Sequence, residues 1–585
     1  MDWNQSNLDD GPRVQLAVAR LPAKVPVTDP RYGGLLWLQS GGPGESGIDF
    51  ILTYGKSIQA IVDSPVDATA VISTEDDMAS NAQRQVFYDI LAIDSRGLNN
   101  STPCFSCFPS ASSKQRWDLR ASAEGVLGSS DASFSNLWAR MQALSQGCSA
   151  TTNPLAKHVN TAPQIADMVA VIEKHGQWRQ REAARVLSRD HEQQAVLSEE
   201  VTAITQRTKW RRNEEQLLFW GFSYGTVIGA HFAAMQPHRV QRMVLDGVVD
   251  TPDYMVGTRL QSLRDTDSIV DRQAENCFLA GPSRCPLYDV GGAGKIAESF
   301  RNMIVNLKRH PLSVPGDSDG GAAGFLAPDI ITYSDVIGAT FNALYAPIQS
   351  FPPLMSDLAG IARGNGTAFA ARNQKNSRQS SSSAEETTSD HQPPSKSKSD
   401  NDACLTQLIS PGDSRTAIMC TDVNGTSGMS QVDFKNYIAQ LETQSAFFSG
   451  PFAQVRMKCI DWQLRPTWRF NGPFAAPGGT NFPLLLVSSM RDPVTPIANA
   501  HTVATRFPNS AVLAVDTDGH SSLSGPSLCM ARYIRAYFQK GEMPTPGTVC
   551  EANEKSFLGL VKEAEGSEER KLLGILRWIS WHWND

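Results

Sequence analysis

The sequence predicts an α/β architecture in which a mostly parallel sheet is interrupted by a large, mainly helical insertion. Three observations carry that reading. Short continuous apolar runs such as GLLWLQ (Gly34 to Gln39) and FYDILAI (Phe87 to Ile93) have the composition of strands buried on both faces. A third such run, QLLFW from Gln216, enters Gly221-Phe222-Ser223-Tyr224-Gly225 and then a small-residue helical pattern from about Tyr224 to Ala234. The strand and helix alternation then lapses from about Thr251 to Thr480 and resumes at Pro483.

The elements follow in chain order. Arg13 to Arg20, RVQLAVAR, alternates like a strand, and Gly34 to Gln39 is the next strand. The loop behind it, Ser40 to Gly47 (SGGPGESG), crowds four glycines and a proline, so backbone N–H groups can approach a ligand closely. Pro43 has no N–H, which favours Gly42 as a donor to an oxyanion; the alternative is a plain Gly/Pro turn. Phe87 to Ile93 ends in Asp94-Ser95-Arg96-Gly97, where Asp94 and Arg96 read first as a salt bridge tying loop to sheet and second as substrate ligands. Asn160 to Glu173 predicts a helix capped by Thr161, with Pro163 in its first turn and Ile165, Met168, Val169 and Ile172 on one face. Gly176 to Glu215 is highly charged and reads as an exposed helical insertion without visible chemistry.

At the elbow, a serine on a tight strand-to-helix turn is forced into a strained conformation, and the glycines two before and two after remove side chains that would collide. The following helix starts at the serine, so its orphan N–H groups face any oxyanion formed there. Val240 to Val249 is the next strand, with Asp246-Gly247 at its end. From 251 to 480 the patterns are helical, as in Ser334 to Leu344 and Ser430 to Thr443, which suits a cap or lid. Inside it, Asn373 to Asp402 has almost nothing apolar and is expected to be disordered. Pro483 to Ser489 restores the sheet, followed by Arg491-Asp492-Pro493, a helix from Ile497 to Arg506, a strand from Ala511 to Val515, and Asp516-Thr517-Asp518-Gly519-His520.

Acyl transfer by serine needs a base for the hydroxyl proton and an acid to orient that base. Ser223, Asp492 and His520 stand in the Ser, Asp, His order of the α/β-hydrolase fold, each just after a strand, where loops at the carboxyl edge of a parallel sheet converge. Asp492 is preferred to Asp246, Asp516 and Asp518 as the acid. It ends the penultimate strand before a turn that can aim it, whereas Asp518 is too near His520 in sequence to reach the imidazole from behind.

Composition excludes some functions and leaves a conflict over compartment. A net charge of −7 with mixed signs provides no basic footprint for nucleic acid. No apolar run reaches the roughly 18 residues of a transmembrane helix. The first residues, MDWNQSNLDDGPR, contain no apolar signal core. Yet there are ten cysteines without zinc spacing, Cys104 and Cys107 forming at most half a site, and sequons at Asn99, Asn100, Asn365 and Asn424. Disulfides and export are favoured, with the start read as lacking its leader; cytosolic residence is the alternative.

The segments SGGPGESG, DSRG with STPC, GFSYGTVIG, LDGVVDTPDY, SSMRDPVTP and DGHSS with Cys529 together resemble the secreted tripeptidyl aminopeptidase and proline iminopeptidase group of serine α/β-hydrolases, with a TAP-like C-terminal region. The resemblance spans about Arg13 to Cys550. It implies Ser223 as nucleophile, Asp492 as acid, His520 as base, and oxyanion donors in the glycine loop (Gly42) and at Tyr224. It also implies disulfides Cys277 with Cys285, Cys420 with Cys459 and Cys529 with Cys550, and Cys148 with Cys104 or Cys107. The expected organisation is a hydrolase core at 13–250 and 481–550, a cap at 251–480 following the strand after the nucleophile helix, and an extension at 551–585. Glu45 stands where the family usually has glycine, and DSRG replaces DPRG. The Trp-rich end, LLGILRWISWHWND, reads as a helix docked on the body rather than a membrane contact.

The activity this implies is release of short N-terminal pieces from peptides through an acyl-enzyme, without metal or cofactor. An aminopeptidase must also bind a free α-ammonium with acidic side chains, for which Glu45 and the cap are candidates. Two other readings stay open: an esterase, lactonase or amide hydrolase acting on a small metabolite, and a catalytically silent binding protein on a hydrolase fold. Oligomeric state is not legible.

Overall fold

The buried apolar runs, joined by more exposed strands at the edges, form one eight-stranded sheet. In the computed structural model, which describes residues 13–69, 85–151, 153–193, 198–317, 327–375, 412–423 and 428–583, these are β1 (Val18–Leu21), β2 (Tyr32–Gln39), β3 (Phe87–Ile93), β4 (Leu217–Phe222) and β5 (Val240–Asp246). Three more follow the insertion, β6 (Leu485–Arg491), β7 (Ala511–Asp518) and β8 (Val549–Glu551). The order is β1-β3-β2-β4-β5-β6-β7-β8, with β1 antiparallel to β3 and every other pair parallel.

Alternation along each strand supplies two cores. Leu35, Trp37, Leu217, Phe219 and Leu245 face one helical layer, while Leu36, Leu38, Leu218, Trp220, Val244 and Leu485 face the other. That is why the runs read as continuously apolar. Helix α1 (Gly47–Val62) connects β2 to β3, α2 (Thr161–Gln193) precedes β4, and α3 (Tyr224–Met235) connects β4 to β5. The chain leaves β2 toward β3 on one side, and β4 lies on the other side of β2. The strand order therefore reverses between β2 and β4, opening a crevice at their carboxyl ends where such folds bind ligands.

Between β5 and β6 the regular elements among the described residues are helices apart from a two-stranded hairpin, Leu312–Val314 with Asp329–Ile331, and they have their own core of Ile269, Phe300, Ile337, Phe351 and Met355. One of these helices, α4 (Gly412–Asp422), reaches the crevice. After β6, α5 (Ile497–Ala504) leads to β7 and α6 (Leu528–Lys540) to β8; α7 (Gly566–His582) follows at the end.

Several local expectations change. The first strand is only Val18–Leu21, because only those residues pair with Ile90 to Ile93. Helix α2 starts at Thr161 and runs through the charged stretch to Gln193, so Thr161 is its first residue and its hydroxyl bonds elsewhere. That stretch is not wholly exposed: Ala183, Leu187 and Ile204 bury a small cluster against Val27. Residues 373–375, expected to be disordered, end a helix in which Gln374 bonds the backbone of Ala327; the rest of that tract, 376–402, lies outside the described residues. Helices Ala111–Glu124 and Ser133–Ser149 had no strong periodicity, and Leu137, Trp138 and Met141 pack on Phe434, Leu441 and Met457 of the insertion.

Candidate active site

The turn that carries Ser223 forms because little else can occupy its positions. Ser223 has φ 54° and ψ −119°, a strained turn between β4 and α3. A Cβ on Gly221 would lie 2.8 Å from the Gly225 carbonyl oxygen, and one on Gly225 would lie 2.6 Å from that of Gln39. Ser223 N–H donates to the Asp246 carbonyl at 3.0 Å, which ties the turn to β5.

The glycine loop closes over this turn. A Cβ on Gly41 would fall 2.9 Å from Ser223 Cβ, so the loop passes directly against the serine, and Gly42 follows with φ 104°. The Glu45 carboxylate accepts the Gly41 N–H at 3.0 Å and faces Arg415 of α4 at 3.6 Å; Arg415 Nε donates to the Pro43 carbonyl at 3.0 Å. Ser46 caps α1 and donates to Asp94 at 2.8 Å, and Asp94 also accepts the Ile48 N–H at 3.2 Å. Asp94 therefore does not pair with Arg96. Arg96 forms its buried ion pair with Asp167 at 2.6 Å, so the structural reading of both residues is the better one, with different partners.

In the turns after β6 and β7, Nδ1 of His520 lies 3.0 Å from both carboxylate oxygens of Asp492. Asp492 also accepts the N–H groups of Val494 (3.0 Å), Thr495 (2.8 Å) and Ser521 (2.8 Å), so its turn aims it as a turn after a strand should. Burial works against charge on both partners, but their mutual attraction outweighs it. Asp492 is held below the ordinary carboxylate range, and His520 is raised above the ordinary histidine range. The other aspartates have different work. Asp516 and Asp518 both pair with Arg491, and Asp518 also accepts from Gln273. Asp246 accepts from the Ser522 N–H (2.7 Å) and hydroxyl (2.6 Å), anchoring the segment that follows His520, and burial pushes its carboxyl up to about 6.

Three supports besides Arg415 were not legible in the sequence. Tyr345, in the insertion, accepts the His520 N–H on its carbonyl at 2.9 Å and sets its ring edge-on to the imidazole. Asp422, at the end of α4, accepts the N–H and hydroxyl of Thr161, each at 2.7 Å, and the Tyr254 hydroxyl at 2.9 Å; Thr161 in turn bonds the Tyr224 hydroxyl at 2.6 Å. That network fixes the first residue of α3, whose N–H is among the orphan donors of a helix start. Trp583, in the C-terminal extension, donates to the His520 carbonyl. All three lie far in sequence from the residues they support, and no motif marks them.

Four disulfides are described: Cys107–Cys148, Cys277–Cys285, Cys420–Cys459 and Cys529–Cys550. Cys148 thus pairs with Cys107, and Cys104 is itself disulfide-bonded. No helix among the described residues is long and apolar enough to cross a membrane.

Comparison with known proteins agrees with this architecture. The α/β hydrolase fold family matches residues 70–281, and the TAP-like protein family matches residues 445–550. Serine protease Hip1 of Mycobacterium tuberculosis is 24% identical over 92% of this chain and 84% of its own length. Tripeptidyl aminopeptidase of Streptomyces lividans is 21% identical over 92% of this chain and 80% of its own. Carboxylesterase B of M. tuberculosis is 22% identical over 94% and 84%.

Proposed function

The chain is a serine hydrolase of the α/β-hydrolase fold with a TAP-like region, and we propose that it cleaves short N-terminal pieces from peptides using Ser223, His520 and Asp492. The observation that carries the assignment is the buried Asp492–His520 pair beside the strained Ser223 turn, the two joined through Asp246, whose carbonyl accepts the Ser223 N–H and whose carboxylate holds Ser522, two residues after His520.

In this reading Ser223 Oγ attacks the scissile carbonyl and passes its proton to His520, while Asp492 stabilises the imidazolium that forms. Negative charge develops on the carbonyl oxygen, where the N–H groups of Gly42 and Tyr224 meet it. His520 then protonates the departing amine, leaving the N-terminal piece as an ester on Ser223. Water, deprotonated by the same imidazole, releases it. Glu45 is half exposed beside His520, which feels its charge, so it suits a group that attracts a substrate ammonium while holding Gly41 in place.

Peptide substrates are favoured by the relatives named serine protease and tripeptidyl aminopeptidase; an ester substrate is the second reading, favoured by the relative named carboxylesterase. A panel of aminoacyl and tripeptidyl amides beside simple esters separates them. Amide turnover that requires a free amino terminus is expected, and ester turnover alone would sink the peptidase reading. A silent binding protein would leave Ser223 unlabelled by a fluorophosphonate. The disulfides support an extracytoplasmic location.

A further inference from the structure

The C-terminal extension ends against the candidate base. Helix α7 buries Leu572, Leu573, Leu576 and Ile579, and Arg577 pairs with Glu554 at 2.7 Å. Two tryptophans of the segment lie on its open side, Trp578 at 40% and Trp581 at 47% exposure, whereas Trp583 is only 5% exposed. Its indole N–H donates to the His520 carbonyl at 2.9 Å. The same ring packs on Phe222, the residue before Ser223, at 5.4 Å, and on Phe50 and Tyr54 of α1 at 6.1 and 5.3 Å. The backbone around it is also held, since Gln349 donates to the Trp583 carbonyl at 3.2 Å and the Tyr54 hydroxyl to that of His582.

His520 needs such a hold. It sits between Gly519 at φ 112° and Ser521 at φ 63°, two left-handed residues, and the peptide groups on either side of it lie in no helix. The one before it is fixed by the Tyr345 carbonyl, and the one after it by Trp583 and by the Ser521 N–H bond to Asp492. Without the indole, a buried carbonyl would lose its donor, and relief of that loss would turn the peptide that carries the imidazole.

We propose that Trp583 is a positioning residue: its indole N–H sets the backbone of His520, and its ring braces Phe222, so that base and nucleophile stay aligned. The proposal rests on the reading of Ser223, Asp492 and His520 as the catalytic group. It makes the C-terminal extension part of the active-site framework rather than a separate appendage.

The test is Trp583→Phe in the full chain, which keeps an aromatic ring and removes the donor, compared with Trp581→Phe on the open side. The readouts are the second-order rate of fluorophosphonate labelling of Ser223, kcat and KM on any turned-over substrate, and the melting temperature. Trp583→Phe is expected to slow labelling and kcat by about tenfold to a hundredfold with KM within about twofold, since small misplacements of catalytic groups have that effect. Trp581→Phe should match the wild type. Labelling of Trp583→Phe at the wild-type rate overturns the proposal. If that variant does not fold, 3-benzothienylalanine at 583, which replaces the ring N–H by sulfur in the same shape, provides the same comparison, and wild-type kinetics there overturn the proposal equally. A wild-type protein that never labels refutes the catalytic reading itself, and the inference falls with it, a result distinct from a labelled wild type with an unaffected variant.

Discussion

At the scale of single residues the site turns on which aspartate faces His520. Asp492 is fully buried and bonded to the imidazole, so Asp492→Asn should lower kcat by about ten-thousandfold with little change in binding, as loss of the acid does elsewhere. Asp518→Asn removes only a partner of Arg491 and Gln273, and should lower kcat far less. Equal losses in steady-state kinetics would overturn the assignment. The raised pKa of His520 also sets a pH dependence. The base must be neutral to act, so kcat/KM should rise with pH through an apparent pKa above 6.5, and that limb should move down in Asp492→Asn. Stability moves the other way: the His520 contribution is fully present below 6.5 and is lost as pH rises through the higher folded value. A limb that stays in place when Asp492 is neutralised, measured on residual activity, would contradict this coupling. That Ser223, Asp492 and His520 each follow a strand was legible from the order of the segments. Tyr345, Asp422, Arg415 and Trp583 were not, because an unmarked side chain becomes a support only when a distant segment is folded beside it.

At the scale of elements, the turns bearing the site depend on close approaches that only glycine permits. Gly519 has φ 112°, and a Cβ there would meet the Tyr345 carbonyl oxygen at 2.6 Å. Gly519→Ala should therefore cost about 1–3 kcal/mol of stability from backbone strain, and more if Tyr345 cannot yield, with kcat falling because His520 is the next residue. Chemical denaturation and kinetics on the same sample check both parts, and an unchanged midpoint would show that the turn has slack. The Cys529–Cys550 bridge joins α6 to β8, and removing it by Cys529→Ser with Cys550→Ser should cost about 2–4 kcal/mol, the typical contribution of a disulfide. A melting temperature unmoved by that double change would mean that packing alone holds the last strand. The strands were legible because both of their faces are apolar. The helices at 111–149 were not: much of their surface is polar, and the apolar face of the second is completed by the insertion.

For the whole molecule, the conflict between cysteine content and N-terminal sequence resolves toward bonded cysteines, as the described bridges and the bonded Cys104 indicate. Thiol titration of denatured, unreduced protein should find at most about two reactive groups if it matures in an oxidising compartment; eight or more would argue for a reducing one. The sequence by itself determined the alternation of buried strands and helices, the Gly-Phe-Ser-Tyr-Gly turn between a strand and a helix, and the places of Asp492 and His520 just after strands. These are local properties, set by periodicity, by backbone permissions at glycine and by position after a strand. Tertiary structure alone decided which oxygen meets which hydrogen across hundreds of residues. It brought Arg415 onto the glycine loop, Asp422 under the start of α3, and Tyr345 and Trp583 onto either side of His520. Such contacts depend on how layers stack and where an insertion folds back, and residue spacing along a chain has no information about either.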